Sequence, residues 1–143
     1  METNNLFSPH NTVVDTTAFI SLLWRNDVNH LRAKVQYERL LDIHSELYTS
    51  NYILLEVENW IMEHKVSATF FSILGSAKDL VNVVYLDKNY HEHAERLLES
   101  NREFGANLTD FTTRLLANKL KARIFAFDQK LADIGGLLIP FGE

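Results

Sequence analysis

The chain has 143 residues, 46% of them hydrophobic and 23% charged, with a formal net charge of −5 and no cysteine. That is enough for one ordinary domain with a buried core, and the composition is neither disordered nor fibrous. Disulfides, thiolate zinc sites and thiol nucleophiles are excluded, and the acidic balance argues against a protein that coats duplex DNA non-specifically.

Residues 1–11 are polar and lack the basic and apolar regions of a secretory signal, so they read as an N-terminal extension of a single domain over 1–143. Short β-branched or apolar runs predict strands at 12–14, 46–49, 82–86, 123–127 and 137–139. Between them lie helical patterns. Residues 30–43 carry Leu31, Val35, Leu40 and Ile43 on a drifting stripe, and 52–63 space Ile53, Val57, Trp60 and Ile61 helically. Further helices are predicted at 66–80, 90–103 and 109–120, the last with Thr109 as its N-cap. Gly135-Gly136 predicts a turn before the last strand, which Pro140 ends. No apolar run approaches the ~20 residues that cross a bilayer. A soluble, cytoplasmic protein is expected.

Strands alternating with helices require crossovers. The fold class is therefore α/β, a mainly parallel sheet of 4–5 strands covered on both faces as a three-layer α/β/α domain. Ligand sites in such folds lie beyond the carboxyl ends of the strands. Asp15 and Asp128 fall on that edge directly, and Glu56 and Asp110 fall in the first turns of helices that start near it. Carboxylates gathered on one rim repel one another, and a hard divalent cation on oxygen ligands is the usual reason to gather them. The pattern points to a Mg²⁺- or Mn²⁺-dependent enzyme acting on phosphodiesters, with Asp15 the bridging ligand. Setting the four acids aside brings the charge close to neutral, so net charge does not veto a nucleic-acid substrate.

Each acid also has a structural reading. Asp is a favoured N-cap, Asp110 suits the positive end of a helix, and Glu56 is explained by a solvent-facing position. Among the neighbours, Asn59 lies three residues after Glu56, where it would share a helix face with it. Arg114, four after Asp110, would offset the carboxylates or touch a phosphate, or form a plain helical ion pair. Thr16 and Thr17 would hydrogen-bond Asp15 or an incoming phosphate. Lys119, Lys121 and Arg123 read as the cationic end of a helix before they read as an RNA surface. His91 and His93, two apart on a helix, face different ways and read as solvent-exposed polarity.

Four motifs in order resemble one family. Val13-Val14-Asp15-Thr16-Thr17-Ala18-Phe19-Ile20-Ser21-Leu22-Leu23 resembles the opening strand and turn of PIN-domain ribonucleases. Thr49-Ser50-Asn51-Tyr52-Ile53-Leu54-Leu55-Glu56 resembles the second acidic motif, Leu108-Thr109-Asp110-Phe111-Thr112 the third, and Ile124-Phe125-Ala126-Phe127-Asp128-Gln129-Lys130-Leu131 the fourth. The likeness runs from about residue 12 to 140 and is greatest to the VapC-like toxins of toxin–antitoxin pairs. It departs from the family's pattern at Ala126, at Gln129-Lys130-Leu131 and in the missing acid before Leu108. The resemblance implies an endoribonuclease in which Asp15, Glu56, Asp110 and Asp128 hold Mg²⁺ or Mn²⁺ and are catalytic. Thr16, Asn59, Thr109 and Arg114 would then support those ligands or touch substrate. It also implies a homodimer and an inhibitory antitoxin protein. The alternative is a catalytically weak PIN-fold module that binds RNA or a protein.

Overall fold

Four short strands pair in parallel in the order β3-β2-β1-β4. They are β1 (Asn11–Val14), β2 (Glu46–Ser50), β3 (Asn82–Val84) and β4 (Arg123–Phe125). The structure is a computed structural model and describes residues 10–139. The helices are α1 (Thr16–Leu23), α2 (His30–Asp42), α3 (Asn51–Glu63), α4 (Thr69–Lys78), α5 (Lys88–Ser100), α6 (Leu108–Leu120) and α7 (Gln129–Asp133). Val14 of β1 and Leu47 of β2 face α1, α2 and α4, while α6 lies along β1 with α5 and α7 beside it. The sheet is thus the middle of three layers.

Strands pass to helices with almost no loop, because a short polar side chain caps each helix where the strand ends. Asp15 opens α1, Ser50 opens α3 and Asp128 opens α7, each accepting a backbone N–H of the first turn. Burial fixes the rest. Val13, Ile53, Val57, Phe111, Ile124, Phe125 and Leu131 are fully excluded from solvent. Each large apolar side chain of this kind contributes roughly 1.5–3 kcal/mol.

The chain runs β1 to β2 to β3 in one direction and then returns to place β4 on the other side of β1. The strand order therefore reverses between β1 and β4. The crevice beyond their carboxyl ends is where an open parallel sheet receives its ligand.

Several expectations are corrected. The last predicted strand, 137–139, makes only an isolated bridge, Ile124 with Leu138, so the sheet has four strands among the described residues. Arg123 is buried at the start of β4 and its Nη1 donates to Leu138 O at 2.7 Å, so it ties down this segment instead of joining Lys119 and Lys121 at the cationic end of α6. Lys121 closes α6 in the left-handed conformation. The strand expected over 82–86 stops at Val84, where Leu86 N turns to Asn51 Oδ1 at 2.7 Å. The one expected over 123–127 stops at Phe125, because Phe127 N is taken by Thr17 Oγ1 at 2.9 Å. His91 is half-buried and braces α5 to α3, hydrogen-bonded to Tyr52 and 3.3 Å from Glu95. Helices α1 and α7 stand where the sequence showed only capping acids. The polar extension lies outside the described residues up to residue 9, as does Pro140, and Asn11 already belongs to β1.

The Gly135-Gly136 turn does require glycine. Gly135 has φ +100°, and a Cβ on Gly136 would stand 2.8 Å from Leu131 O and 2.9 Å from Ile124 Cδ1.

Candidate functional site

Asp15 sits at the end of β1 with its N–H donated to Phe125 O at 3.0 Å, so β4 fixes its backbone. Its Oδ2 receives long bonds from Thr17, 3.5 Å from N and 3.4 Å from Oγ1. Among the described residues its Oδ1 is buried with no hydrogen-bond partner. A buried, unpartnered carboxylate oxygen is expensive unless it is protonated or meets a cation. Burial, reinforced by the nearby charges of Asp110 and Glu56, lifts the Asp15 pKa to about 7.

Asp110 lies in the first turn of α6 and is buried. The N-cap of that helix is Asn107 and not Thr109: Asn107 Oδ1 accepts the Asp110 N–H at 2.9 Å, and Asp110 Oδ2 accepts the Asn107 N–H at 2.9 Å. This reciprocal capping box turns the Asp110 carboxylate back toward Asn107 at the start of the helix. Burial raises its pKa to about 6, opposed by the Asn107 N–H and Lys130 and assisted by Asp128 and Glu56.

Glu56, half-buried in the second turn of α3, is held by two donors from distant segments. Thr16 Oγ1 donates to its Oε1 at 2.7 Å and Asn107 Nδ2 to its Oε2 at 3.0 Å. Asp128, also half-buried, caps α7 through Lys130 N at 3.0 Å. Asp110 and Glu56 act electrostatically on Asp15, and Asp128 and Glu56 on Asp110, so each predicted acid lies within electrostatic reach of Asp15 or Asp110.

The supporting residues fare unevenly. Thr16 reaches a predicted acid directly. Thr109 lends its carbonyl to Thr112 Oγ1 at 2.7 Å, and among the described residues its side chain makes no bond to a predicted acid. Asn59 is exposed, and among the described residues it is Asn107 and Thr16 that bind Glu56. Arg114 makes no ion pair with Asp110 among the described residues; its side chain runs to Gly135, where a Cβ would meet Nε at 3.2 Å. The cation whose charge reaches Asp110 is Lys130. Sequence reasoning missed Asn107 as a part of the site. Its signal was available, since Asn107 and Asp110 have capping-box spacing.

A divalent cation fits this donor set. The orphaned Asp15 Oδ1 and the two lifted pKa values are both relieved by positive charge on hard oxygen ligands. Among the described residues, no three acidic or histidine side chains are yet drawn together as a finished cage. The bonds from Thr16 and Asn107 hold Glu56 in its present position.

The PIN domain family profile matches residues 12–137. The chain belongs to the PIN domain family. Among solved structures, the PIN fold seen here is similar to that of Mycobacterium tuberculosis VapC20, described as a sarcin–ricin loop cleaving toxin. The TM-score is 0.78 at 21% identity, over 92% of this chain and 99% of that one. It is also similar to VapBC2 of Rickettsia felis, solved bound to a DNA fragment from its promoter. There the TM-score is 0.70 at 13% identity, over 90% of this chain and 96% of that one. Pyrobaculum aerophilum PAE2754 matches with a TM-score of 0.61 at 14% identity, over 90% of this chain and 83% of that one. Comparison with curated proteins gives no match. No helix among the described residues is long and apolar enough to cross a membrane.

Proposed function

We propose that this PIN domain is a Mg²⁺- or Mn²⁺-dependent endoribonuclease and the toxin of a toxin–antitoxin pair. The observation that carries the reading is the buried, unpartnered Oδ1 of Asp15 beside two further carboxylates at the switch point. Asp15, Glu56, Asp110 and Asp128 would hold the ion. When bound, such an ion supplies a water of lowered pKa as nucleophile and offsets charge on the phosphoryl oxygens. The protein's own part is positioning. Thr16 and Asn107 orient Glu56, Asn107 aims Asp110, and Thr17, anchored by Phe127 N, stands against Asp15 Oδ2. No histidine or cysteine base is required.

The fold likeness to a toxin that cleaves the sarcin–ricin loop supports RNA, in single-stranded or looped form, as the substrate class. The likeness to a VapBC pair supports an antitoxin partner. An apolar cavity of about 260 Å³ between α1, α2, α4 and the sheet, lined by Phe19, Leu22, Leu23, Tyr37 and Leu80, suits an apolar side chain of such a partner.

The test is cleavage of total RNA and of a sarcin–ricin-loop hairpin with Mg²⁺ or Mn²⁺, in excess EDTA, and by Asp15→Asn. Wild-type cleavage lost in both controls, with growth arrest relieved by Asp15→Asn or Asp110→Asn, supports the reading. Cleavage unchanged in EDTA or in Asp15→Asn sinks it. The loose set of the carboxylates favours one second reading, a binding module. RNA binding without cleavage in either metal, and no effect on growth, would establish that reading instead.

A further inference from the structure

The carboxyl rim of the sheet carries one aromatic side chain that the fold does not use. Tyr85 follows the last residue of β3 and is 76% exposed, more than any other aromatic side chain among the described residues. Its neighbours are employed in the fold: Val83 and Val84 pack against the core, and Leu86 is part of it. Tyr85 belongs to neither group, and its side chain makes no hydrogen bond or ring contact among the described residues.

A single exposed aromatic is ordinary on a protein surface and signifies nothing alone. Its place sets this one apart. Val13 pairs with Tyr48 across β1 and β2, so the same register carried two residues on sets Asp15 level with Ser50, which pairs with Val84 of β3. Tyr85 therefore stands one residue beyond the level of Asp15 and two strands away, on the order of 10 Å at the usual spacing of a sheet. Glu56 lies on the helix that leaves the strand between them. At ~3.4 Å per stacked nucleotide, about three nucleotides cover that distance.

The mount is fixed on both sides. Leu86 N donates to Asn51 Oδ1 at 2.7 Å, beside the Ser50 cap of α3, and Asp87 Oδ1 accepts the Tyr90 N–H at 3.2 Å to open α5. The connection 85–87 is thus tied to the helix that carries Glu56, while the Tyr85 ring is left in solvent. An aromatic on a backbone held this way loses little freedom when a flat partner lies on it.

We propose that Tyr85 is a substrate-positioning residue on which an unpaired base of the RNA stacks, a few nucleotides from the phosphodiester that is cut. Every base has a π face, and the bases of single-stranded or looped RNA are free to leave their own stack for an aromatic ring. The contact needs no cation. It lets a domain of net charge −5 draw part of its affinity for a polyanion from a term that does not depend on phosphate.

This inference rests on the ribonuclease reading, and its test separates the two. The full-length Asp15→Asn protein, with and without Tyr85→Ala, is titrated in Mg²⁺ with a labelled single-stranded oligoribonucleotide of mixed sequence. The RNA is intact or carries one abasic site at successive positions. Tyr85→Ala should weaken binding of the intact RNA about tenfold, the usual effect of one stacked base, and leave the slope of log K against log salt unaltered. An abasic site at one position should cost the Asp15→Asn parent the same factor and cost the Tyr85→Ala protein nothing further. Tyr85→Phe should bind as the parent does. Tyr85→Trp should lose fluorescence on the intact RNA and not on the RNA abasic at that position. With Asp15 intact, Tyr85→Ala should raise KM more than it lowers kcat, at an unchanged melting temperature. An Asp15→Asn parent that binds RNA equally well with Tyr85→Ala, or that loses the same factor to Tyr85→Ala on every abasic RNA, overturns the role of Tyr85 alone. A wild-type protein that neither binds nor cleaves RNA overturns both.

Discussion

Thr16 donates its hydroxyl to Glu56 Oε1 across 2.7 Å, joining residues 40 apart in sequence. The bond ties the first turn of α1 to the second turn of α3. Thr16 thereby fixes where one of the acids points. It immediately follows Asp15, whose pKa the Glu56 charge helps to raise.

Replacing Thr16 by Val preserves shape and removes the donor. The fold should lose about 1 kcal/mol, the usual net worth of one hydrogen bond. Cleavage should fall roughly tenfold in kcat with KM little changed, as expected when a metal ligand is misplaced. Thr16→Ser should restore activity. Steady-state kinetics of the two variants decide it, and a fully active Thr16→Val would show that Glu56 needs no such support.

Asp15 makes stability depend on pH with a definite sign. Its folded-state pKa of about 7 lies above the ordinary 3.8, so between those values the folded state holds the extra proton. Metal-free stability therefore falls as pH rises through that window and levels off above it. Asp110, lifted to about 6, contributes in the same direction. The Asp15 shift corresponds to on the order of 4 kcal/mol. Asp15→Asn in EDTA should be more stable than wild type by about 2 kcal/mol or more at about pH 8, and nearly equal to it at about pH 4. Denaturant titrations at the two pH values measure this; equal stability at the higher pH would contradict it.

Mg²⁺ should raise the melting temperature of the wild type at about pH 8, because a ligand bound only by the folded state stabilises it. Asp15→Asn should show much less of this effect. A melting temperature indifferent to Mg²⁺ up to high concentration in the wild type would remove the case for a metal at these carboxylates.

Asn107 has two separable duties, since its Oδ1 caps α6 while its Nδ2 holds Glu56. Asn107→Ala should lose both, at a stability cost of about 1 kcal/mol from the cap together with a fall in cleavage. Asn107→Ser keeps a cap acceptor and lacks the amide donor. It should be close to wild type in stability and reduced in kcat. Thermal melts alongside kinetics on both variants give the comparison, and Asn107→Ser with full activity would confine Asn107 to capping.

Self-association should involve the exposed side of α2 and the turn before it, where Val28, Leu31 and Val35 are 91%, 74% and 48% exposed. Leu40, which shares the α2 stripe with Leu31 and Val35, is instead core. Sedimentation velocity at micromolar concentration should show a dimer that Leu31→Glu with Val35→Glu converts to monomer. A wild-type monomer throughout that range would refute the expectation.

The sequence by itself determined the class of fold and pointed to the acids proposed as ligands. Alternating β-branched runs and helical stripes require a parallel sheet between helix layers, and Asp15 and Asp128 stand where a strand yields to a capped helix. Those are local properties of period and capping, and they survive without knowledge of any contact. Only the tertiary structure decided how the acids are supported. Glu56 needed a donor, and its neighbour Asn59 on the same helix looks suitable by spacing, yet the fold brings Thr16 and Asn107 instead. Arg114 looks suitable for Asp110 by the same rule, but its side chain runs to Gly135, and the charge of Lys130 arrives from another helix. Strand ends behaved likewise: residues 126–127 read as strand until Thr17 takes the N–H that a ladder would have used. A pairing rule along one element has only a few tenths of a kcal/mol behind it. Closing the chain around a buried carboxylate involves several, so long-range contacts prevail wherever the two disagree.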